Sequence, residues 1–247
     1  MGRTAQRARL GAMVVIAALL IAVRADAAGT AYGVDTAEVG EVGNCKIESW
    51  LSWASNQDFL AITNPSCVVD LGRPVELSAQ IQRARADGEW GTSIAPKFKT
   101  NLIPSGIGKF GVAIAGGAMF DLITNETTGF FGYIPATMRL SEVMRLNVNA
   151  GWQWDRIADT HFFSYGVGFD FRTPDNVWTL TTEVFGLVGQ GDPKAVGQPR
   201  YQIGLRWRPI DRFSMDLILG RNITGENANW ITLATSIRFP AGDKAGE

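Results

Sequence analysis

The chain has one histidine and two cysteines, and past residue 27 it has no run of the eighteen apolar residues that a spanning helix needs. Each scarcity excludes a class. His161, Cys45 and Cys67 lie far apart and do not make a zinc set, so no metal and no cofactor is expected. No helix beyond the amino terminus is long and apolar enough to cross a bilayer. The 23 Lys+Arg against 24 Asp+Glu leave no basic patch for nucleic acid. No Pro/Ser-rich linker and no sequence repeat divides the chain, which reads as one domain behind a leader.

The leader has the grammar of an export signal. Arg3, Arg7 and Arg9 precede an apolar run over 10–23, and Ala25-Asp26-Ala27 follows as a small-x-small cleavage site. The expected organisation is a signal over 1–27, a lead-in over 28–44, a barrel over 45–239 and a polar tail over 240–247. An uncleaved anchor helix is the competing reading, but the run is short for one. Loss of Arg3, Arg7, Arg9, Arg24 and Asp26 leaves 19 cationic against 23 acidic residues, a mature net charge of −4.

What is present in quantity is alternation. From Trp230 to Phe239, Ile231, Leu233, Thr235, Ile237 and Phe239 share one face, and Thr232, Ala234, Ser236 and Arg238 the other. A strand of about ten residues, apolar on one side only and ending in an aromatic, suits the wall of a membrane β-barrel. The same period runs through 90–102, 145–155, 161–171, 177–188 and 200–208, and less clearly through 75–83, 109–120, 130–140 and 213–221. The fold class expected is all-β: a single antiparallel transmembrane barrel of about twelve strands, or ten if 47–69 is a plug or lead-in. Short connections alternate with longer ones, as periplasmic turns alternate with extracellular loops.

Strand parity sorts the side chains. Lys97, Lys99, Arg139, Asn147, Asn149, Glu183, Arg206 and Asp216 are the candidate lumen residues. Trp53, Trp90, Trp154 and Trp230 fall near one rim, and Trp178, Trp207 and Phe239 near the other, as two aromatic girdles would place them. Trp50 has inward parity. Pro96 and Pro135 lie inside strands of a sheet without edges, which calls for bulges. Cys45 and Cys67 are equidistant from Asn56, the centre of the first hairpin, and an oxidising compartment favours a disulfide between them.

The run Ile47-Glu48-Ser49-Trp50-Leu51-Ser52-Trp53, the turn Leu71-Gly72-Arg73-Pro74, the segment from Gly220 to Thr232 and the ending Ile237-Arg238-Phe239 resemble proteobacterial outer-membrane barrel transporters. That group is related to the phenol-degradation (MetA-pathway) barrel. The resemblance implies passive uptake of small solutes, aromatic or hydrophobic ones included, and brings no catalytic motif. A lipid bilayer, a small solute and the barrel-assembly machinery are the expected partners. An enzyme would need a nucleophile touching its base, but His161 and Ser164 have opposite parity. The alternative to a channel is a non-conducting structural or adhesive barrel. Inward charges of both signs fit either a narrow lumen or a filled one, with Lys97 and Lys99 then paired to Glu48 or Glu183.

Overall fold

A computed structural model describes residues 31–86, 88–189, 199–223 and 228–241. The signal over 1–27 and the tail from 242 lie outside the described residues. Twelve strands follow one another: β1 (Asn44–Ala54), β2 (Phe59–Asp70), β3 (Pro74–Ala86), β4 (Glu89–Ile103), β5 (Phe110–Asp121) and β6 (Glu126–Arg139) in the first half. The second half is β7 (Met144–Asp155), β8 (Thr160–Arg172), β9 (Trp178–Gly189), β10 (Arg200–Ile210), β11 (Phe213–Asn222) and β12 (Asn229–Pro240). Each pairs antiparallel with its sequence neighbours, and β12 returns to β1, so the sheet closes. Closure runs from Asn44 opposite Pro240 to Ala54 opposite Trp230. The ten-strand alternative is therefore excluded: 47–69 forms two wall strands. The rim where β1 begins and β12 ends is called the lower rim below.

The faces are inverted relative to a soluble protein. Leu51, Leu77, Val167, Leu180, Leu217 and Leu233 are exposed outside, whereas Glu48, Glu76, Lys99, Arg145, Asp170 and Asp216 are buried inside. Only a wall with lipid on its outer side makes both halves of that pattern favourable. At the upper rim Trp53 packs on Phe59, which packs on Trp90. Trp154 stacks on Phe130 there. Trp178 and Trp207 pair at the lower rim with ring centroids 6.3 Å apart, and Phe239 is exposed at the same rim. His161 lies on the outer side against Trp152 and Trp154, away from Ser164.

Three expectations need correction. Trp230 is not in a girdle. It has the inward parity of Thr232, lies against Gly220, and donates its indole N–H to Gln202 Oε1 at 3.2 Å inside the barrel. The prolines do not make bulges. Register continues unshifted across Pro96 and Pro135, and the ladder merely lapses on the side facing β5. Each ring costs a hydrogen bond with one neighbour while pairing with the other is kept. The bulges lie elsewhere, at Asn101/Ile103, Met119/Phe120 and Trp207/Ile210. The loop asymmetry is also weaker than expected, because β6 begins at Glu126 and shortens the connection before it.

Residues 31–43 form no strand. Gly43, at φ +83°, makes the turn from this segment into β1, a conformation that costs glycine little. Its N–H donates to Val68 O at 2.9 Å, and its carbonyl accepts from Ala241 N–H at 2.6 Å. From that anchor at the lower rim the segment runs back into the lumen.

Cys45 and Cys67 stand directly opposite in the β1–β2 ladder and are bonded. Closing that loop stabilises the fold by about 3 kcal/mol in the chain-entropy account. Non-reduced peptide mapping should find the two linked. The double change Cys45→Ser, Cys67→Ser should leave an assembled barrel that unfolds at lower denaturant, and an unchanged midpoint would refute the stabilising role.

Candidate functional site

The lower half of the lumen is occupied by the chain's own amino-terminal segment. Tyr32, Val34, Thr36, Ala37 and Glu38 are buried there. Val34, at 2% exposure, is seated over two wall glycines of β8. A Cβ on Gly166 would come within 2.8 Å of Val34 Cγ2, and one on Gly168 within 3.3 Å of Val34 Cβ. Gly204 of β10 leaves the equivalent room for the Tyr32 ring. Beside them the inward positions of β8 to β11 carry the longer Asp170, Glu183, Gln202, Arg206 and Asp216, so these three glycines cut a seat in that part of the wall.

Polar contacts fix the segment along its length. Tyr32 Oη donates to Asp216 at 3.0 Å. The N–H groups of Gly33 and Val34 donate to the two oxygens of Glu183 at 2.5 and 3.1 Å. Ala37 N–H donates to Thr137 Oγ1 at 2.8 Å, and its carbonyl accepts from Asn101 Nδ2. Two carboxylates meet the wall cations. Asp35 accepts from Lys99 Nζ at 2.9 Å and Tyr133 Oη at 2.8 Å, with Lys97 Nζ 3.7 Å away. Glu38 accepts from Arg139 Nε and Nη2 at 2.8 and 2.6 Å, from Arg145 Nη1 at 2.6 Å and from Ser105 Oγ at 3.1 Å.

The wall cations fall into two groups. Lys46 has Glu48 and Glu76, Arg206 has Asp216, and Arg145 has Asp170 as wall partners. Lys97, Lys99 and Arg139 have, among the described residues, ion-pair partners only in the segment. The lysines thus pair with Asp35, not with Glu48 or Glu183. Burial of Val34 contributes roughly 1.5 kcal/mol or more. The ion pairs are nearly balanced by desolvation while intact, but losing one partner of such a pair costs about 3–5 kcal/mol. The segment is therefore specified by its charges more than it is held by apolar contact.

Above the segment the lumen opens into a vestibule of about 380 Å³. Phe131, Tyr133, Tyr165 and Phe185 supply aromatic walls, and Gln80, Asn149 and Ser164 supply hydrogen-bonding groups. Lys97 and Arg200 bring positive charge. Phe131 and Tyr133 stack with centroids 6.4 Å apart, and Lys97 Nζ stands 5.8 Å from the Tyr133 ring centroid.

Of the lumen residues read from parity, Lys97, Lys99, Arg139, Glu183 and Asp216 contact the segment directly. Arg206 lies beneath Tyr32, its guanidinium carbon 5.6 Å from the ring centroid. Asn147 accepts from Thr137 and donates to Asp170, and Asn149 lines the vestibule. Asp35, Glu38, Tyr32, Tyr133 and Arg145 were not read as site residues. The available signal was the pair of inward glycines in β8, which leave a hole that something must fill. No metal-binding cluster of His, Cys, Asp and Glu occurs among the described residues.

Burial pushes the Asp35 carboxyl up, but the ammonium groups of Lys99 and Lys97 outweigh it, leaving Asp35 below the usual carboxylate range. A depressed value means its contribution is complete above the unfolded pKa of about 3.9 and is lost only as pH falls through the folded value. The Asp35 carboxyl carbon should therefore show no NMR titration step between pH 6 and pH 3, where an ordinary aspartate titrates at about 3.9. A step in that window would contradict the double lysine pairing.

Gly166→Val should push Val34 off its seat with no charge altered. Proteolysis of the assembled barrel should then release residues 31–38 several-fold faster than in wild type, and equal rates would mean the glycine seat is irrelevant.

The barrel has the porin fold. The NanC porin superimposes with a TM-score of 0.61 at 7% identity, over 77% of this chain and 98% of that one. The KdgM porin gives 0.58 at 7%, over 78% and 99%. The COG4313 outer membrane channel from Pseudomonas putida F1 gives 0.57 at 12%, over 82% and 97%. No curated protein matches the sequence. The family model described as Uncharacterised conserved protein UCP029691 matches residues 16–239, nearly the whole chain, and the protein belongs to that family.

Proposed function

We propose that the protein is an outer-membrane channel for passive uptake of small solutes, aromatic ones included, and that segment 31–43 holds it closed in the state described. The observation that carries this reading is the chemistry of the seal. The lumen is stopped by a terminal segment held through ion pairs and a glycine seat, while the inward apolar cluster of Trp50, Ile62 and Ala234 receives only Ala31 of that segment. A plug of that kind can leave while all twelve strands stay paired.

Three further points support it. The outer face is apolar and the wall polar inside, as a bilayer requires. The vestibule presents aromatic faces beside polar groups, which suits a ring-bearing solute. The resemblance to phenol-degradation barrels agrees with such a solute. In this reading a signal over 1–27 is removed on export, the lower rim faces the periplasm, the aromatic rims lie at the lipid–water boundaries, and the barrel-assembly machinery inserts the chain. The KdgM porin has also been solved in complex with disordered oligogalacturonate, at a TM-score of 0.56 and 8% identity; a barrel of this architecture accommodates a solute.

The filled lower lumen equally favours a second reading, a non-conducting structural barrel. Refolded protein lacking residues 31–43 separates the two. Channel function requires that its planar-bilayer conductance exceed wild type by on the order of tenfold or more, because a polar wall without a plug admits water and ions. If the shortened barrel migrates as a folded, heat-modifiable species and still passes no current, the structural reading replaces the channel. Recovery of the wild type as a soluble periplasmic monomer would dispose of both.

A further inference from the structure

We infer that the wall seats now holding Asp35 and Glu38 are carboxylate-binding subsites, which segment 31–43 fills as a tethered stand-in for an acidic solute. The inference rests on the channel reading for the idea of passage, but the subsites themselves are a matter of wall chemistry.

The upper seat gathers three donors on one carboxylate: Lys99 Nζ and Tyr133 Oη at hydrogen-bond distance, and Lys97 Nζ at 3.7 Å. The lower seat presents two guanidinium groups and Ser105 Oγ to another. Planar guanidinium forks match carboxylate geometry better than they match any neutral group. Removing the segment would leave Lys97, Lys99 and Arg139 without an ion-pair partner among the described residues. Such a wall favours a solute that brings its own negative charge and disfavours a neutral or cationic one.

The vestibule narrows the class further. It reaches the upper seat through Lys97, Tyr133 and Asp35, which line it. Its volume of about 380 Å³ and its Phe131, Tyr165 and Phe185 faces suit a single ring, and Arg200 adds a second cation. Among the described residues Arg200 has no ion-pair partner. A ring-bearing monocarboxylate can therefore rest in the vestibule and present its carboxylate to Lys97 in competition with Asp35. That competition couples arrival of solute to release of the segment, since each carboxylate excludes the other from the same ammonium groups.

Asp35→Asn tests this, with benzoate as probe and benzamide as its neutral counterpart. Both are titrated calorimetrically into the full mature barrel in detergent. Wild type binds benzoate weakly, because the site is open in only a fraction of molecules. Asp35→Asn should bind it about tenfold tighter, as apparent affinity scales with the fraction of competent sites. Benzamide should bind neither. Adding Lys97→Gln and Lys99→Gln to Asp35→Asn should abolish benzoate binding. Gly166→Val, which alters no charge, should also raise benzoate affinity, and covers the case in which Asp35→Asn does not assemble. Equal binding of benzoate and benzamide, or no gain in an assembled Asp35→Asn or Gly166→Val barrel, overturns the inference. In planar bilayers, a current through Asp35→Asn carried by sodium in preference to benzoate overturns it too. Benzoate binding without any current sustains the subsites and removes only the channel.

Discussion

Every other feature of this protein depends on the pairing of β1 with β12. Inside hydrocarbon an unpaired backbone N–H or C=O costs several kcal/mol, so a sheet can face lipid only when it has no edge. The eleven-residue register from Asn44/Pro240 to Ala54/Trp230 removes the last one. Closure turns the alternation of each strand into an inside and an outside. It also brings the two ends of the barrel together at one rim, where Ala241 bonds to Gly43 and sets the point from which the amino-terminal segment enters.

Closure creates a second problem, which the segment solves. Inward cations on β4 and β6 have too few carboxylates near them, and buried charge without a partner is costly. The wall meets part of this need itself, as in the Lys46–Glu48–Glu76 group and the Arg206–Asp216 pair. Asp35 and Glu38 meet the rest. Tyr32 adds a hydroxyl to Asp216, and two backbone N–H groups satisfy Glu183. Three buried serine hydroxyls, those of Ser78, Ser214 and Ser236, have no hydrogen-bond partner among the described residues, Ser214 and Ser236 standing opposite each other on β11 and β12. The interior is thus a polar network in which the segment is one member.

Much of the wall was legible in the sequence because its physics is local. Period-two alternation follows from the geometry of one strand, and it marked ten strands and the parity of Lys97, Lys99, Glu183, Arg206, Trp178 and Trp207, while 47–69 stayed open between two strands and a plug until the closed sheet decided it. The Cys45–Cys67 pairing followed from hairpin symmetry, since a two-strand register is fixed by its turn. Trp230 was misplaced because its position at a strand end was weighed above its parity. Pro96 and Pro135 were misjudged because a ring removes one donor, and a residue in a sheet offers that donor to one neighbour only.

By itself, then, the sequence determined a strand rhythm, two opposed faces and a disulfide hairpin. It did not determine what fills the barrel. Residues 31–43 carry no periodic signal, and Asp35 and Glu38 acquire their meaning from Lys97, Lys99, Arg139 and Arg145, which lie 62 to 107 positions along the chain. Gly166, Gly168 and Gly204 read as ordinary strand glycines until Val34 and Tyr32 are set against them. Contacts between a terminus and the inside of a closed sheet exist only once the sheet has closed, so only the tertiary structure could decide them.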